Sequence, residues 1–594
     1  MRLQGKLPEA REWLAQSLAL AEQAQDATRL AEVLWQQAET YLAAGQSQAA
    51  QTAANRALVL AQSHRLPNLA YLSATALGKA WLQQKNNAQA AACFTQAIQF
   101  IEAARSQVGG AEQEAVTFFA DKVEPYQQMV ALLVAQNQPA EALLYAERAK
   151  GRVLLNVMRS GPASFEQSLT AAEKAHLQQL NRTLAQLNRQ PPSASQATQL
   201  ATARLAYESY RNDLFAAHPE LRRRQGETEA FTLNHLARLV QPDTAYLEFV
   251  VTPSQTYLFT IKRTANVQLP EVHVSRLNIQ ADVLAQQVEQ LHRRAAERSP
   301  LFAASARTLY HLLIKPAQEQ TAGRANVVIV PDGCLWNVPF QALPAEADRY
   351  WLEDCAISYA PSLEVLHEME QRPALPVTKA TNRLFALGNP RLSPADINPA
   401  ASEVADCPLP TAESEVKALA AVVGPARSRV LLGAQATETA FRAGAGNYGT
   451  VHLAAHGFLD NRRPLYSYLQ LARGGEETEA DGRLEAHEIM GLNLRAELVV
   501  LSACSTANGQ ISAGEGVIGL SWAFFVAGCR NTVVSQWQVN SESTAALMAH
   551  FYRALTTGQS RAQALRTASL ALRQDARWRH PFYWAGFVMV GQGR

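Results

Sequence analysis

Two short apolar runs constrain this chain more than any other feature. TVHLAA at 450–455 stops at His456 and Gly457, and LVVLSA at 498–503 stops at Cys504. A strand buried on both faces of a parallel sheet reads as such an uninterrupted run, and neither run is long enough for a helix. Further runs of this kind stand at 326–330, 384–388, 532–537 and 587–591, separated mostly by helical periodicity. That alternation predicts an α/β layer on a largely parallel sheet. Ligands of open α/β sheets bind beyond the carboxyl ends of the strands, so neighbouring strands ending in His456 and Cys504 place an imidazole beside a thiol. Such a pair is a nucleophile with its base.

Upstream the period differs. Gly5, Ala10 and Leu18 recur at an offset of 40 as Gly45, Ala50 and Leu58, and more loosely as Lys85, Ala90 and Ile98; Ala142 and Ala149 match Ala90 and Ala97 at an offset of 52. Small residues repeated inside helix pairs predict a tetratricopeptide-like α-solenoid over 1–150, whose concave face suits a protein partner or serves only as a scaffold. Gly5 falls at a turn in this register, so a helix is expected before it, and a truncated start would leave an apolar groove exposed. Residues 151–240 read as a helical hairpin linker around Gln-Pro-Pro-Ser at 190–193, with nothing chemical in it. From Thr244, TAYLEFVVTPSQTYLFTIK alternates and predicts a β-hairpin, with helices following to about 318. The α/β unit is assigned to 241–594, its catalytic half to about 380–594. Segments 372–383 and 390–411 read as long loops, and 474–482, with Glu476, Glu477, Glu479 and Asp481, as a flexible acidic one.

Composition narrows the classes. A chain of 594 residues is too long for one core. Its net charge of +2 gives no ground for direct nucleic-acid binding, and Arg222, Arg223 and Arg224 read as a solvated helix end. No stretch reaches the ~18 apolar residues of a membrane span or resembles a signal peptide, so a cytoplasmic protein is expected. The six cysteines stand singly, without the pairs of a zinc site or a disulfide framework, and no cofactor is implied. His452 and His456 would lie roughly 13 Å apart on a strand at ~3.3 Å per residue, too far to share a metal ion.

Seven motifs in a fixed order carry a resemblance: VIVPDGCLWNVPFQAL from Val328, ISYAPSL from Ile357, LFALGNP from Leu384, VHLAAHG from Val451, LVVLSACSTANG from Leu498, GEGVIGLSWAFFVAGC from Gly514 and PFYWAGFVMVG from Pro581. Together they resemble the CHAT-domain proteases, caspase- and separase-related His/Cys peptidases, here with tetratricopeptide repeats in front. The resemblance implies a caspase-like α/β fold and a cysteine endopeptidase in which Cys504 attacks a peptide carbonyl and His456 moves the proton. It implies an oxyanion hole made by the backbone amides of Gly457 and Cys504. Metacaspases carry Asp two residues before the nucleophile to receive a basic P1 side chain, and caspases Gln; this chain has Ser502. A basic P1 would then need another carboxylate, for which Asp332, Asp460, Glu515 and Glu542 are the candidates, each also readable as a surface charge or a helix N-terminal residue. Asn540 stands where relatives often carry Asp. The partners implied are a protein substrate and a regulatory protein bound by the repeats, as in CRISPR-type effector complexes or prokaryotic cell-suicide pathways. The alternatives are a non-catalytic scaffold, or a protease that processes only itself at 390–411 or 474–482.

Overall fold

The computed structural model describes residues 6–105, 122–160, 168–190, 193–218, 231–264, 267–346, 349–372, 383–392, 409–474, 480–503, 510–512 and 516–594. The chain divides into two compact units, one holding the helices that precede Ala149, the other Lys150–Arg594.

The first unit is a helical repeat array: α1 (Leu7–Gln23), α2 (Ala27–Ala43), α3 (Ser47–Ser63), α4 (Pro67–Gln83), α5 (Asn87–Arg105), α6 (Glu124–Ala135) and α7 (Pro139–Arg148). Each of the first four helices has 17 residues, and one helix pair with its turns makes the period of 40. Gln25, Gly45, Arg65, Lys85 and Asn137 end their helices in the left-handed region. That position favours glycine but admits other residues at a cost, which is why Lys85 can replace Gly45 in the looser copy. The recurring small residues are where helices touch: Ala50, Ala54, Ala90, Ala97 and Ala142 are all fully buried. Trp13 and Leu20 on α1 are exposed; Gly5 lies outside the described residues.

The second unit begins with α8 (Arg152–Ser160), then α9 (Ala171–Asn188) and α10 (Ala194–Ala217), which pack against each other as the expected hairpin. Thr170 caps α9 in a reciprocal box with Glu173, and Ser193 caps α10. The core is an eleven-stranded sheet. In chain order its strands are β1 (Thr244–Val251), β2 (Thr256–Lys262), β3 (Glu271–Leu277), β4 (Asn326–Val330), β5 (Ala356–Tyr359), β6 (Leu384–Pro390), β7 (Ser428–Gly433) and β8 (Thr450–Ala454). After the small strands β9 (His456–Phe458), β10 (Tyr468–Gln470) and β11 (Arg483–Glu485) come β12 (Leu498–Leu501), the ribbon β13 (Gln510–Ser512) and β14 (Gly516–Ile518), then β15 (Asn531–Ser535) and β16 (Phe587–Gly591). The large sheet runs β3-β2-β1-β4-β5-β16-β15-β12-β8-β6-β7. Pairing is parallel from β1 through β4 and β5 to β16, and again from β15 through β12, β8 and β6 to β7. An antiparallel β15/β16 pair joins the two blocks, and β2 and β3 add an antiparallel edge.

Every expected strand is present, with ends shifted by a few residues. Three strands of the large sheet escaped the sequence reading. β3 lies in a segment read as helical; its half-exposed EVHVSRL is an edge strand that needs no apolar run. β5 is only four residues long, and β7 is the opposite edge, with no fully buried position. Among the described residues no helix is long and apolar enough to cross a membrane.

One turn behind the central strands admits only glycine. Gly528 follows α11 (Leu520–Val526) with φ +114°, and a Cβ there would lie 2.6 Å from the carbonyl oxygen of Leu494. Gly528→Ala is expected to destabilise this unit by about 2 kcal/mol or more, read as a lower urea midpoint followed by tryptophan emission; an unchanged midpoint would contradict the packing described.

Candidate active site

β8 and β12 are adjacent, parallel and in register, with Thr450 opposite Leu498 and Leu453 opposite Leu501. Both are shut off from solvent by neighbours on either side, the physical reason their sequences are unbroken apolar runs. His452, the one polar residue inside β8, is wholly buried and satisfied: Nε2 lies 2.8 Å from Glu415 Oε1 and Nδ1 3.2 Å from the Tyr552 hydroxyl. It ties β8 to the helices Pro410–Val423 and Ser541–Thr556, the packed neighbour the spacing predicts.

After Ala454 the chain leaves the large sheet. His456, Gly457 and Phe458 form β9, which pairs antiparallel with β10, and β10 with β11, in a separate three-stranded sheet. His456 faces Gln470 and Gly457 faces Leu469 in register. Phe458 stacks on Tyr468 at 4.8 Å, and the Arg483 guanidinium lies 5.2 Å from the Tyr468 ring. His456 and Gly457 are half-buried. On the neighbouring strand the Ser502 amide donates to the Leu453 carbonyl at 2.9 Å, and the Ser535 hydroxyl donates to the Ala503 carbonyl at 2.6 Å. Cys504, the next residue, lies outside the described residues, as does Glu515. The described frame thus brings the exits of the two runs to one edge of the sheet.

Residues 303–592 match the model of the CHAT domain. Over these residues the chain is similar to CHAT domains. Tetratricopeptide repeat protein 28 of Homo sapiens is 25% identical over 331 residues, covering 48% of this chain and 13% of that protein, and its Mus musculus counterpart matches to the same extent. The chain therefore spans only a small part of the curated relatives it matches. A chain of the Saccharomyces cerevisiae separase–securin complex aligns with 99% of this chain and 56% of its own length, at 10% identity and a TM-score of 0.40.

The substrate-pocket candidates are scattered over the matched region. Asp332 follows β4, separated from β8 by β5, β16, β15 and β12, roughly 24 Å at ~4.8 Å per strand. Its carboxylate accepts from the Val251 amide at 2.7 Å; burial raises its pKa, against the pull of Lys150. The short helical turn after it, Gly333–Asn337, packs on the β13/β14 ribbon. Asp460 is engaged in its own turn, accepting from the amides of Arg462 and Arg463 at 3.0 and 2.9 Å. Glu542 is exposed in the first turn of its helix, which Asn540 caps. Ser502 alone of the described candidates stands at the β8/β12 edge.

Sequence reasoning missed a buried ionic cluster that joins the helical hairpin to the sheet carrying His456. Arg204 of α10 lies 3.3 Å from Glu485 at the end of β11, and Asn188 of α9 donates to Asp481 at 2.8 Å. Tyr466 donates to Glu208 at 3.0 Å, under the Arg204 guanidinium. Arg442 lies 2.6 Å from Glu438 and 2.5 Å from Glu488, and the Gly482 amide donates to Glu438 at 3.1 Å. The expectation of a flexible acidic segment at 474–482 is therefore corrected at its end: Asp481 is buried and hydrogen-bonded, while 475–479 lie outside the described residues. The hairpin read as chemically silent supplies Arg204, Asn188 and Glu208. The signal in the sequence was faint, since these charges converge from segments some 280 residues apart.

This cluster has a defined pH response. Burial, opposed by Arg204, raises Glu485 to about 8, and burial, opposed by Arg442, raises Glu438 to about 7. Burial, with Arg211 adding to it, depresses His487 to about 3. The contribution of Glu485 is complete below its ordinary 4.5 and is lost as pH rises through about 8. That of His487 is complete above its ordinary 6.5 and is lost as pH falls towards about 3. Glu485→Gln, which cannot lose a proton, is expected to flatten the fall in thermal midpoint between about pH 5 and 8. A variant whose midpoint falls as steeply as wild type would contradict this.

Proposed function

We propose that the protein is a cysteine endopeptidase in which Cys504 attacks a peptide carbonyl, His456 exchanges the proton, and the amides of Gly457 and Cys504 receive the oxyanion. The observation that supports this reading is the in-register parallel pairing of β8 with β12, whose neighbouring carboxyl ends lead on to His456 and to the residue preceding Cys504. The thiol forms a bond to the carbonyl carbon, the leaving amine takes the proton from the imidazole, and water later hydrolyses the acyl-enzyme. The helical repeats supply a surface for a regulatory protein, and the substrate is a protein.

Labelling with an electrophilic peptide probe, with and without cell lysate as a source of activator, tests the assignment. Loss of labelling in Cys504→Ala and strong reduction in His456→Ala support the dyad. An unlabelled wild type whose Cys504 still reacts with a small alkylating reagent would favour the non-catalytic scaffold. A cut within 390–411 or 474–482, absent in Cys504→Ala, would identify self-processing.

A further inference from the structure

Ser535 is the last residue of β15, and its side chain is turned to a task that the strand backbone does not perform. The ladder between β12 and β15 pairs Val499 with Thr532 and Val500 with Val533. Beyond it the backbone on the β15 side is committed elsewhere, the Gln536 amide donating to the Gly586 carbonyl at 2.8 Å. Ala503 lies past the end of β12, buried, with a carbonyl that needs a donor. The wholly buried Ser535 hydroxyl supplies it at 2.6 Å. One residue earlier, the Ser502 amide is held by Leu453 of β8. The chain is thus gripped from both neighbouring strands immediately before Cys504.

The peptide unit joining Ala503 to Cys504 is planar, and in the trans form its C=O and N–H point to opposite sides. A donor that fixes the carbonyl therefore fixes the direction of the amide. That amide is one of the two donors assigned to the oxyanion above, and the inference rests on that reading. We propose that Ser535 is a positioning residue, acting through the Ala503 carbonyl, that aims the Cys504 amide at the oxyanion.

A capped peptide aldehyde separates this role from a merely structural one. The Cys504 thiol adds to the aldehyde: the C–S bond forms, the carbonyl π pair moves to oxygen, and the thiol proton ends on that oxygen, with nothing released. The resulting hemithioacetal oxygen occupies the oxyanion position. Iodoacetamide instead reacts by displacement of iodide at a tetrahedral carbon and builds no oxyanion. Ser535→Ala is expected to weaken aldehyde inhibition by about 10-fold to 100-fold, somewhat less than deleting a donor outright. Alkylation of Cys504 by iodoacetamide should stay within about twofold of wild type, and Ser535→Thr, which keeps the hydroxyl, should restore aldehyde binding. Unchanged aldehyde inhibition in Ser535→Ala, or an equal loss in both reactions, overturns the positioning role while leaving the dyad standing. Aldehyde binding by Cys504→Ala as tight as by wild type, or none by wild type itself, overturns both.

Discussion

Alanine at His456 is expected to slow labelling of Cys504 by a peptide electrophile by about 100-fold to 10,000-fold, the usual range for a positioned acid–base group. The loss should carry a signature in pH. Without the imidazole, iodoacetamide alkylation of Cys504 should follow the titration of an ordinary thiol, near pH 8.5; with it, the reactive range should extend to lower pH. His456 is half-buried on a short strand paired through its backbone with Gln470, and a thermal melt of His456→Ala against wild type separates a loss of chemistry from a loss of fold. An alkylation profile that is identical in wild type and His456→Ala would remove His456 from the chemistry and with it the dyad.

The largest effect on stability is expected at Lys150. Its ammonium lies 3.0 Å from Glu248 Oε1 and donates to the Phe249 carbonyl at 2.6 Å, with both side chains buried. Asp332 is close enough to feel the same charge, and the second oxygen of Glu248 has no partner among the described residues. Lys150→Met would leave Glu248 inside β1 without its cation, at a cost of about 3–5 kcal/mol. Removing both charges, as Lys150→Met with Glu248→Gln, should recover much of that loss, since a buried pair replaced whole is often close to neutral. Urea unfolding of the two variants tests this. A single variant within about 1 kcal/mol of wild type would show that the charges are solvated in ways the contacts do not record.

How much of this was legible beforehand depended on how local the cause was. The apolar runs that became β8 and β12 could be read directly, because burial on both faces leaves an uninterrupted record in consecutive residues. The helical period of 40 was legible for the same reason, each repeat answering to its own helix pair. The edge strands β3 and β7 left weaker marks, having only one neighbour and no need of an apolar face.

The sequence by itself determined the classes of element, the order of the motifs, and that the apolar runs preceding His456 and Cys504 are core strands. Tertiary structure alone decided which strands are neighbours, that β9 peels away into a second sheet, and that Arg204 of a supposedly inert hairpin meets Glu485. Strand order and buried ion pairs are relations between distant segments. Their energies come from groups that sequence proximity does not bring together, so only the folded chain records them.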